Sequence, residues 1–183
     1  IIVVTDPFDA KIGLKPPRTE ADIVTVTHSH YDHNNTGAIK GEPIIIDGPG
    51  EYSVKGAEIK GIPSHHDKNQ GKERGLNTIY TIEIDNIKIC HLGDLGQILS
   101  DEQIDKIGSV DILLIPVGGV YTINTEDAIE VINQIEPRIV IPMHYKIAGL
   151  NIELDKIDKF AKEMGNGKRV SKLTIKKKDL PSG

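Results

Sequence analysis

The chain has 183 residues, a length that suits one domain with its own hydrophobic core, so we expect a single domain over residues 1–183. Its net charge of −5 provides no broad basic field, and no apolar stretch is long enough to cross a bilayer, so we expect neither nucleic acid nor a membrane as partner. The single cysteine, Cys90, excludes an internal disulfide and favours a reducing, cytoplasmic location.

Short runs rich in β-branched residues dominate the first half of the chain and predict strands. They cover residues 1–5, 23–26, 43–47, 52–54, 57–62, 78–84 and 87–91. Asp85 and Asn86 separate the last two runs, and such a pair tolerates positive φ, so it predicts a tight hairpin turn. Two further strands, at residues 111–116 and 139–142, bracket a helix in a β-α-β pattern.

Three helices are predicted in the second half. The first starts with a capping box at residues 100–103 and is closed by Gly108. Thr125 is expected to cap the second helix, and Pro137 stops it. The third should run from residue 153 to 164, where apolar residues recur at helical spacing. Strand-rich hairpins followed by helices predict a layered α/β sandwich.

Three histidines and an aspartate follow the second predicted strand within six residues. The motif is His-x-His-x-Asp-His, formed by His28, His30, Asp32 and His33. His28 and His30 would point to the same side of an extended segment, because side chains alternate along a strand. Asp32 and His33 would then need a turn to reach a second ion. Imidazole suits zinc, iron and copper, and a carboxylate adds manganese, so this segment could begin two metal sites.

Three more candidate ligands follow, or lie close to, later strands. His66 comes after the run at 57–62, Asp94 after 87–91, and His144 after 139–142. Rigid scaffolds usually present metal ligands and catalytic groups at the ends of strands. We therefore expect these side chains to complete the metal site.

This ordered set of motifs resembles the metallo-β-lactamase superfamily. The pattern there is an Asp after the first strands, His-x-His-x-Asp-His, a lone His, a lone Asp and a final His. The residues of these motifs are closer still to those of small single-domain metal-dependent hydrolases related to the ascorbate phosphate lactonases. The matching motifs here are Asp-Pro-Phe from Asp6, His-His-Asp from His65, Arg-Gly-Leu-Asn-Thr from Arg74, His-Leu-Gly-Asp-Leu-Gly from His91 and Pro-Met-His-Tyr from Pro142.

The resemblance implies a four-layer αββα sandwich with a binuclear metal site at one edge. Such proteins usually begin with two strands before Asp-Pro-Phe, so we expect the N-terminal strands of the fold to be missing from this chain. By the same resemblance, two divalent cations, Zn²⁺ first and Mn²⁺ or Fe as alternatives, are held by seven residues. One ion belongs to His28, His30 and His66, the other to Asp32, His33 and His144, and Asp94 bridges them.

The implied activity is hydrolysis of a small-molecule ester, lactone or phosphoester. A hydroxide shared by the two ions would be the nucleophile, and catalytic roles would fall to Asp32 and Asp94. Three different functions stay open: a phosphodiesterase or nuclease of the same superfamily, a di-iron redox protein, and a non-catalytic metal-binding protein. A homo-oligomer is possible.

Several neighbours of these residues are expected to play supporting roles. Asp6 should accept the outer N–H of a ligand imidazole and so fix its tautomer. His65 should pack beside the site rather than enter it, and His91 should be a hydrogen-bonded core histidine. Arg74 and Asn77 are expected to brace the loop after His66, with anion binding as an alternative.

Overall fold

The computed structural model describes residues 1–165 and 167–182. Strands β1 to β9 are Val3–Thr5, Ile23–Thr25, Ile44–Ile46, Gly50–Val54, Ala57–His65, Leu76–Ile84, Ile87–His91, Ile112–Pro116 and Ile139–Met143. Helices α1 to α3 are Asp101–Ile107, Thr125–Ile135 and Asp158–Glu163. Strands β1, β2 and β3 form a parallel sheet. Strands β4 to β9 form a second sheet in chain order, antiparallel as far as β7 and parallel from β7 to β9.

The two sheets face each other across a small apolar core. This core consists of Ile23, Ile46, Ala57, Ile59, Tyr80 and Ile82. The fully buried Tyr80 hydroxyl, on β6, lies 3.0 Å from the carbonyl oxygen of Val26 and 3.2 Å from that of Ile46, both in the three-stranded sheet region. Because Val26 lies two residues before His28, this contact ties the start of the histidine motif to the second sheet.

The other face of the six-stranded sheet carries a larger core beneath the helices. Side chains alternate along β6, so Ile79 faces the helices while its neighbour Tyr80 faces the other sheet. Val131 of α2 and Phe160 of α3 pack into this core. On the outer face of the three-stranded sheet, Ile39 covers β2 through a further apolar cluster. This layering confirms the predicted α/β sandwich, and in the described ranges every α-helix follows β7.

Two helix boundaries were predicted wrongly. Asn124, not Thr125, caps α2, since its side chain accepts the Asp127 N–H at 2.9 Å. The third helix begins at residue 158 rather than 153, because the preceding backbone is held by tertiary hydrogen bonds. Asp155 N–H donates to the Gly118 carbonyl, and the Asp155 carbonyl accepts the Lys146 N–H, both at 2.8 Å. The capping box at residues 100–103 and the Gly108 end of α1 are confirmed.

The strand order brings the ends of several strands to one edge of the sandwich. The predicted hairpin between β6 and β7 is confirmed, with φ of 53° at Asp85 and 60° at Asn86. Antiparallel pairing then places the end of β5 next to the start of β6, while parallel pairing places the ends of β7 and β9 on that same edge. His66, Asp94 and His144 follow these ends directly or within three residues. In the described part of the chain, no helix has the length and apolarity needed to span a membrane.

Candidate metal centre

Asp94 lies at the centre of a group of four imidazoles. Its Oδ2 is 3.1 Å from Nε2 of His66, 3.3 Å from Nε2 of both His33 and His144, and 3.8 Å from Nε2 of His28. Its Oδ1 is buried and has no hydrogen-bond partner among the described residues. Burial opposes ionisation of Asp94, but the imidazoles, His33 first, outweigh it and hold the pKa of this carboxyl well below its usual range. A buried carboxylate with one oxygen free is expected where a cation binds.

The side chains around Asp94 form two groups with the composition of metal sites. Ligand atoms of His28, His30 and His66 lie within 4.8 Å of one another. The same holds for Asp32, His33 and His144. His28 and His33 also form a third such group with Asp6, which shares one residue with each of the other two. The structure therefore brings all seven sequence-predicted residues together. Either of the first two groups could hold a cation beside Asp94.

The protonation of the imidazoles differs across the centre. Burial lowers the pKa of His28 to about 3, so this ring is neutral at physiological pH, the form that binds metal ions. Burial also lowers the pKa of His30. At His33 burial acts in the same direction, but the Asp94 and Asp6 carboxylates together outweigh it and raise its pKa well above the usual value.

Asp6 holds His33 from outside the centre, as predicted. Its Oδ2 lies 2.9 Å from His33 Nδ1, which leaves His33 Nε2 directed at Asp94. The same carboxylate accepts the Thr27 N–H at 2.8 Å and the Thr27 hydroxyl at 2.6 Å. That hydroxyl also lies 3.0 Å from Nδ1 of His28. Thr27, which sequence reasoning passed over, thus connects Asp6 to both halves of the motif; its only sequence signal was its place immediately before His28.

The two other histidines lie beside the centre. His65 is absent from the clustered ligand groups, and its Nδ1 contacts the side-chain oxygen of Gln97. His91 is buried as expected, but its Nδ1 has no hydrogen-bond partner among the described residues. Its neighbours across the sheet are Tyr80 on β6 and Leu114 on β8.

Asn77 braces a different loop from the one predicted. Its Oδ1 accepts the Asp94 N–H at 3.0 Å, and its Nδ2 donates to Ser64 Oγ at 2.7 Å and to the Leu92 carbonyl at 2.9 Å. The fully buried amide therefore connects the end of β5 with the loop that carries Asp94. Because Asp94 faces four imidazoles, a contact that fixes its backbone also fixes the spacing of the centre.

The loop after His66 is organised by Asp67 instead. This buried carboxylate accepts four backbone N–H groups at 2.7–3.1 Å, from Asn69, Gly71, Glu73 and Arg74. Desolvation alone would raise the pKa of Asp67, but the four N–H groups outweigh it and lower the pKa. The loop closes on the strand end, since the Gly75 carbonyl accepts the His66 N–H at 3.0 Å.

Two glycines allow loops to approach the centre closely. A Cβ on Gly96 would lie 2.3 Å from the His66 carbonyl carbon and the Asp67 nitrogen. A Cβ on Gly118 would lie 2.0 Å from the His144 carbonyl oxygen. Only glycine fits at these distances, so both loops depend on the missing side chain.

Comparison with known proteins agrees with this geometry. A family model described as a beta-lactamase superfamily domain matches residues 1–144. The chain belongs to the metallo-β-lactamase superfamily. This confirms the resemblance drawn from the motifs, and the fold is that of the superfamily.

Relatives in the superfamily match over most of the chain. A "UPF0173 metal-dependent hydrolase" of Thermococcus onnurineus is 31% identical over 173 residues, covering 78% of this chain and 76% of the relative. A protein of the same description from Thermoplasma acidophilum is 32% identical over 169 residues, covering 78% and 75%. A crystal structure from Thermotoga maritima, described as a Zn-dependent hydrolase of the metallo-beta-lactamase superfamily, is 40% identical with a TM-score of 0.75. That match covers 90% of this chain and 77% of the Thermotoga chain.

Proposed function

We propose that this protein is a metal-dependent hydrolase of a small ester, lactone or phosphoester, and that it works with two divalent cations. The observation that carries the proposal is the position of Asp94, whose Oδ2 faces imidazoles from both candidate ligand groups. The names of relatives at 31–40% identity support the hydrolase class and, for the Thermotoga protein, zinc. Zinc is therefore the cation that we propose first, with manganese and iron as alternatives.

The ligand assignment follows the two groups. His28, His30 and His66 would hold one cation, Asp32, His33 and His144 would hold the other, and Asp94 would contact both. The cations, when bound, supply Lewis acidity and lower the pKa of a water molecule towards neutrality. Asp94 and Asp32 bring the negative charge that offsets two dications, and this is the catalytic role that we propose for them.

The chain's own residues prepare this chemistry in three ways. The low pKa of His28 keeps its ring neutral, so no proton has to leave before it binds a cation. Asp6 holds His33 through Nδ1 and directs Nε2 inward. Burial raises the pKa of Cys90 to about 12, so its thiol stays protonated and does not serve as a nucleophile.

A cavity of about 350 Å³ adjoins the group that contains His33 and His144. Much of its wall is apolar and is formed by Phe8, Ile12 and Leu14 together with Ile147, Leu150, Ile152 and Leu154. Apolar walls with a few polar groups at one end suit an apolar part of a small ester or lactone. We therefore place the hydrocarbon part of the substrate here.

Metal analysis combined with a substrate panel tests the proposal. Protein purified without chelator would be reloaded with zinc, manganese or iron and assayed on activated esters, lactones and phosphodiesters. We expect turnover that disappears with chelator, returns with metal, and is lost in His66→Ala but kept in Lys106→Met, a surface change on α1. No turnover by any metal-loaded form would contradict the proposal and favour a non-catalytic metal protein.

The same samples distinguish a small-molecule hydrolase from a nuclease and from a redox protein. Cleavage of DNA or RNA in preference to small diesters would favour a nuclease, although the charge of −5 speaks against it. Oxygen consumption by the iron-loaded form would favour a redox protein. A single domain, a cytoplasmic location and a possible homo-oligomer remain predictions.

A further inference from the structure

A second cavity, of about 450 Å³, opens beside His66 on the other side of the centre. Its wall comes from the loop after β5, including Arg74, and from the loop that contains Val120 and Tyr121. Among the candidate ligands only His66 lines it, so it adjoins the His28–His30–His66 group rather than the apolar cavity. The two cavities therefore flank the centre and differ in character.

Arg74 is held in this wall by its backbone while its side chain stays available. Its N–H donates to the buried Asp67 carboxylate at 2.8 Å, and the next residue, Gly75, accepts the His66 N–H. The guanidinium lies 5.6 Å from the centre of the Tyr121 ring, and Nη2 donates to the Val120 carbonyl at 3.4 Å. The nearest carboxylate, Glu73, is 3.8 Å from Nη1, too far for a hydrogen bond.

An arginine has five N–H donors in a fixed fork that matches a carboxylate or a phosphate. Among the described residues, the Arg74 side chain makes one hydrogen bond, which is long; the side chain is 34% exposed and lines the cavity. Its backbone, by contrast, is fixed by a carboxylate that organises the whole loop. The loop therefore fixes the backbone of an arginine whose guanidinium has unused N–H donors beside a candidate metal ligand. This arrangement is expected of a residue that binds substrate.

The opposite wall of the cavity also has a feature that is typical of binding sites, a strained backbone. Val120 has a φ of 49°, in the left-handed region that a β-branched side chain disfavours. Such strain concentrates at binding and active sites. The strained residue is the one whose carbonyl meets Arg74, and the next residue supplies the ring beneath it.

We propose that Arg74 determines specificity by binding an anionic group of the substrate, a carboxylate or a phosphate, in the cavity beside His66. The substrate is then an anionic ester, lactone or phosphoester whose charged end lies against Arg74 while the bond to be cleaved lies at the centre. This inference rests on the proposed function, since it assigns one end of the same substrate.

Paired substrates and paired variants test it. Metal-loaded protein would be assayed on two p-nitrophenyl esters of similar size, the neutral butyrate and the hemisuccinate, which adds one carboxylate. Arg74→Met removes the fork but keeps much of the length, and Arg74→Lys keeps the charge without the fork. Lys72→Met is the matched control, because Lys72 is an exposed lysine of the same loop that is not part of the cavity wall.

We expect kcat/KM for the hemisuccinate to fall by about 10- to 100-fold in Arg74→Met, the range of a lost charge-assisted contact. The butyrate should change less than about twofold, Arg74→Lys should lie between, and Lys72→Met should match the unmodified protein. An equal fall for both esters, or an equal loss in Lys72→Met, would overturn the proposal.

Binding measurements separate failure of this proposal from failure of the hydrolase function. Calorimetry with inorganic phosphate and with succinate, at matched metal content, should show binding at least about 10-fold weaker in Arg74→Met for one of them. The anion that weakens identifies the group as phosphate or carboxylate. Arg74-dependent binding without turnover would support the anion site and contradict only the hydrolase function. Turnover together with anion binding that is unchanged in Arg74→Met would support the hydrolase function and contradict the anion site.

Discussion

Replacing Asn77 by alanine tests how the protein holds Asp94 in place. The change would leave the Asp94 N–H and the Leu92 carbonyl without the partners that they have in the structure, whereas Ser64 Oγ keeps its bond to the residue 77 carbonyl. A buried polar group left unpaired costs about 1–3 kcal/mol, so the two together should lower the free energy of unfolding by about 2–6 kcal/mol. Because Asp94 would lose the bond that fixes its loop, metal affinity should also fall, by about 10- to 100-fold.

Ser64→Ala is the matched control for this prediction. It removes a hydroxyl that both accepts from the Asn77 amide and donates to the Asn77 carbonyl, but it makes no contact with Asp94. It should cost about 0.5–1.5 kcal/mol and leave metal affinity close to its original value. Urea unfolding gives the stabilities, and competition with a zinc chelator gives the affinities. If Asn77→Ala loses stability but binds zinc as tightly as Ser64→Ala, the amide does not control the position of Asp94, and our reasoning is wrong.

Three further experiments test the centre. Asp94→Asn keeps the shape and removes the charge between the two ligand groups, so metal content should drop and hydrolysis should fall at least about 100-fold; normal metal content with normal rate would contradict the bridging role. Gly118→Ala should displace the loop from the His144 carbonyl and lower the melting temperature and metal affinity together, which thermal scans with and without zinc would show. Zinc uptake should release a proton, because the raised pKa of His33 keeps this ring protonated at neutral pH without a cation. The apparent zinc affinity should therefore fall as the pH falls from about 8 to 6. Calorimetry in buffers of different ionisation enthalpy would detect the released proton.

Much of the fold could be predicted because local signals agreed with the final packing. The β-branched runs became strands, and the Asp85–Asn86 pair formed its turn, since both preferences act over a few residues. The third helix failed for the opposite reason. Residues 153–157 have helical spacing, yet the backbone of Asp155 bonds to the Gly118 carbonyl and to Lys146, and these partners are far away in sequence. Local periodicity contains no information about such partners.

In the candidate site, too, some residues could be predicted from the sequence and others could not. The side chains that face the centre carry rare and recognisable chemistry, and their order in the chain was enough to expect them together. The residues that hold them were harder to assign. Asn77 and Asp67 act through hydrogen bonds to backbone groups of other segments, and an amide or a carboxylate in a strand or loop has many possible partners. Asp6 was assigned correctly because its partner is itself an imidazole of the motif.

The location of unpaired polar atoms gives a physical reason for placing the function at this edge. An unpaired buried polar atom costs about 1–3 kcal/mol, so proteins rarely keep several of them close together. Among the described residues, eight buried side-chain atoms lack a hydrogen-bond partner, and five of them belong to the centre or to the cavity beside it: His28 Nε2, His66 Nδ1, His91 Nδ1, Asp94 Oδ1 and His144 Nδ1. Asp6 holds His33 through its outward Nδ1, whereas Nε2 of His28 and Oδ1 of Asp94 remain available inside the centre. A cation that binds only the folded chain would offset this cost and stabilise the protein in proportion to its binding. The arrangement is therefore costly for the polypeptide alone and favourable for the polypeptide with its metal, which is the condition under which such a cluster is retained.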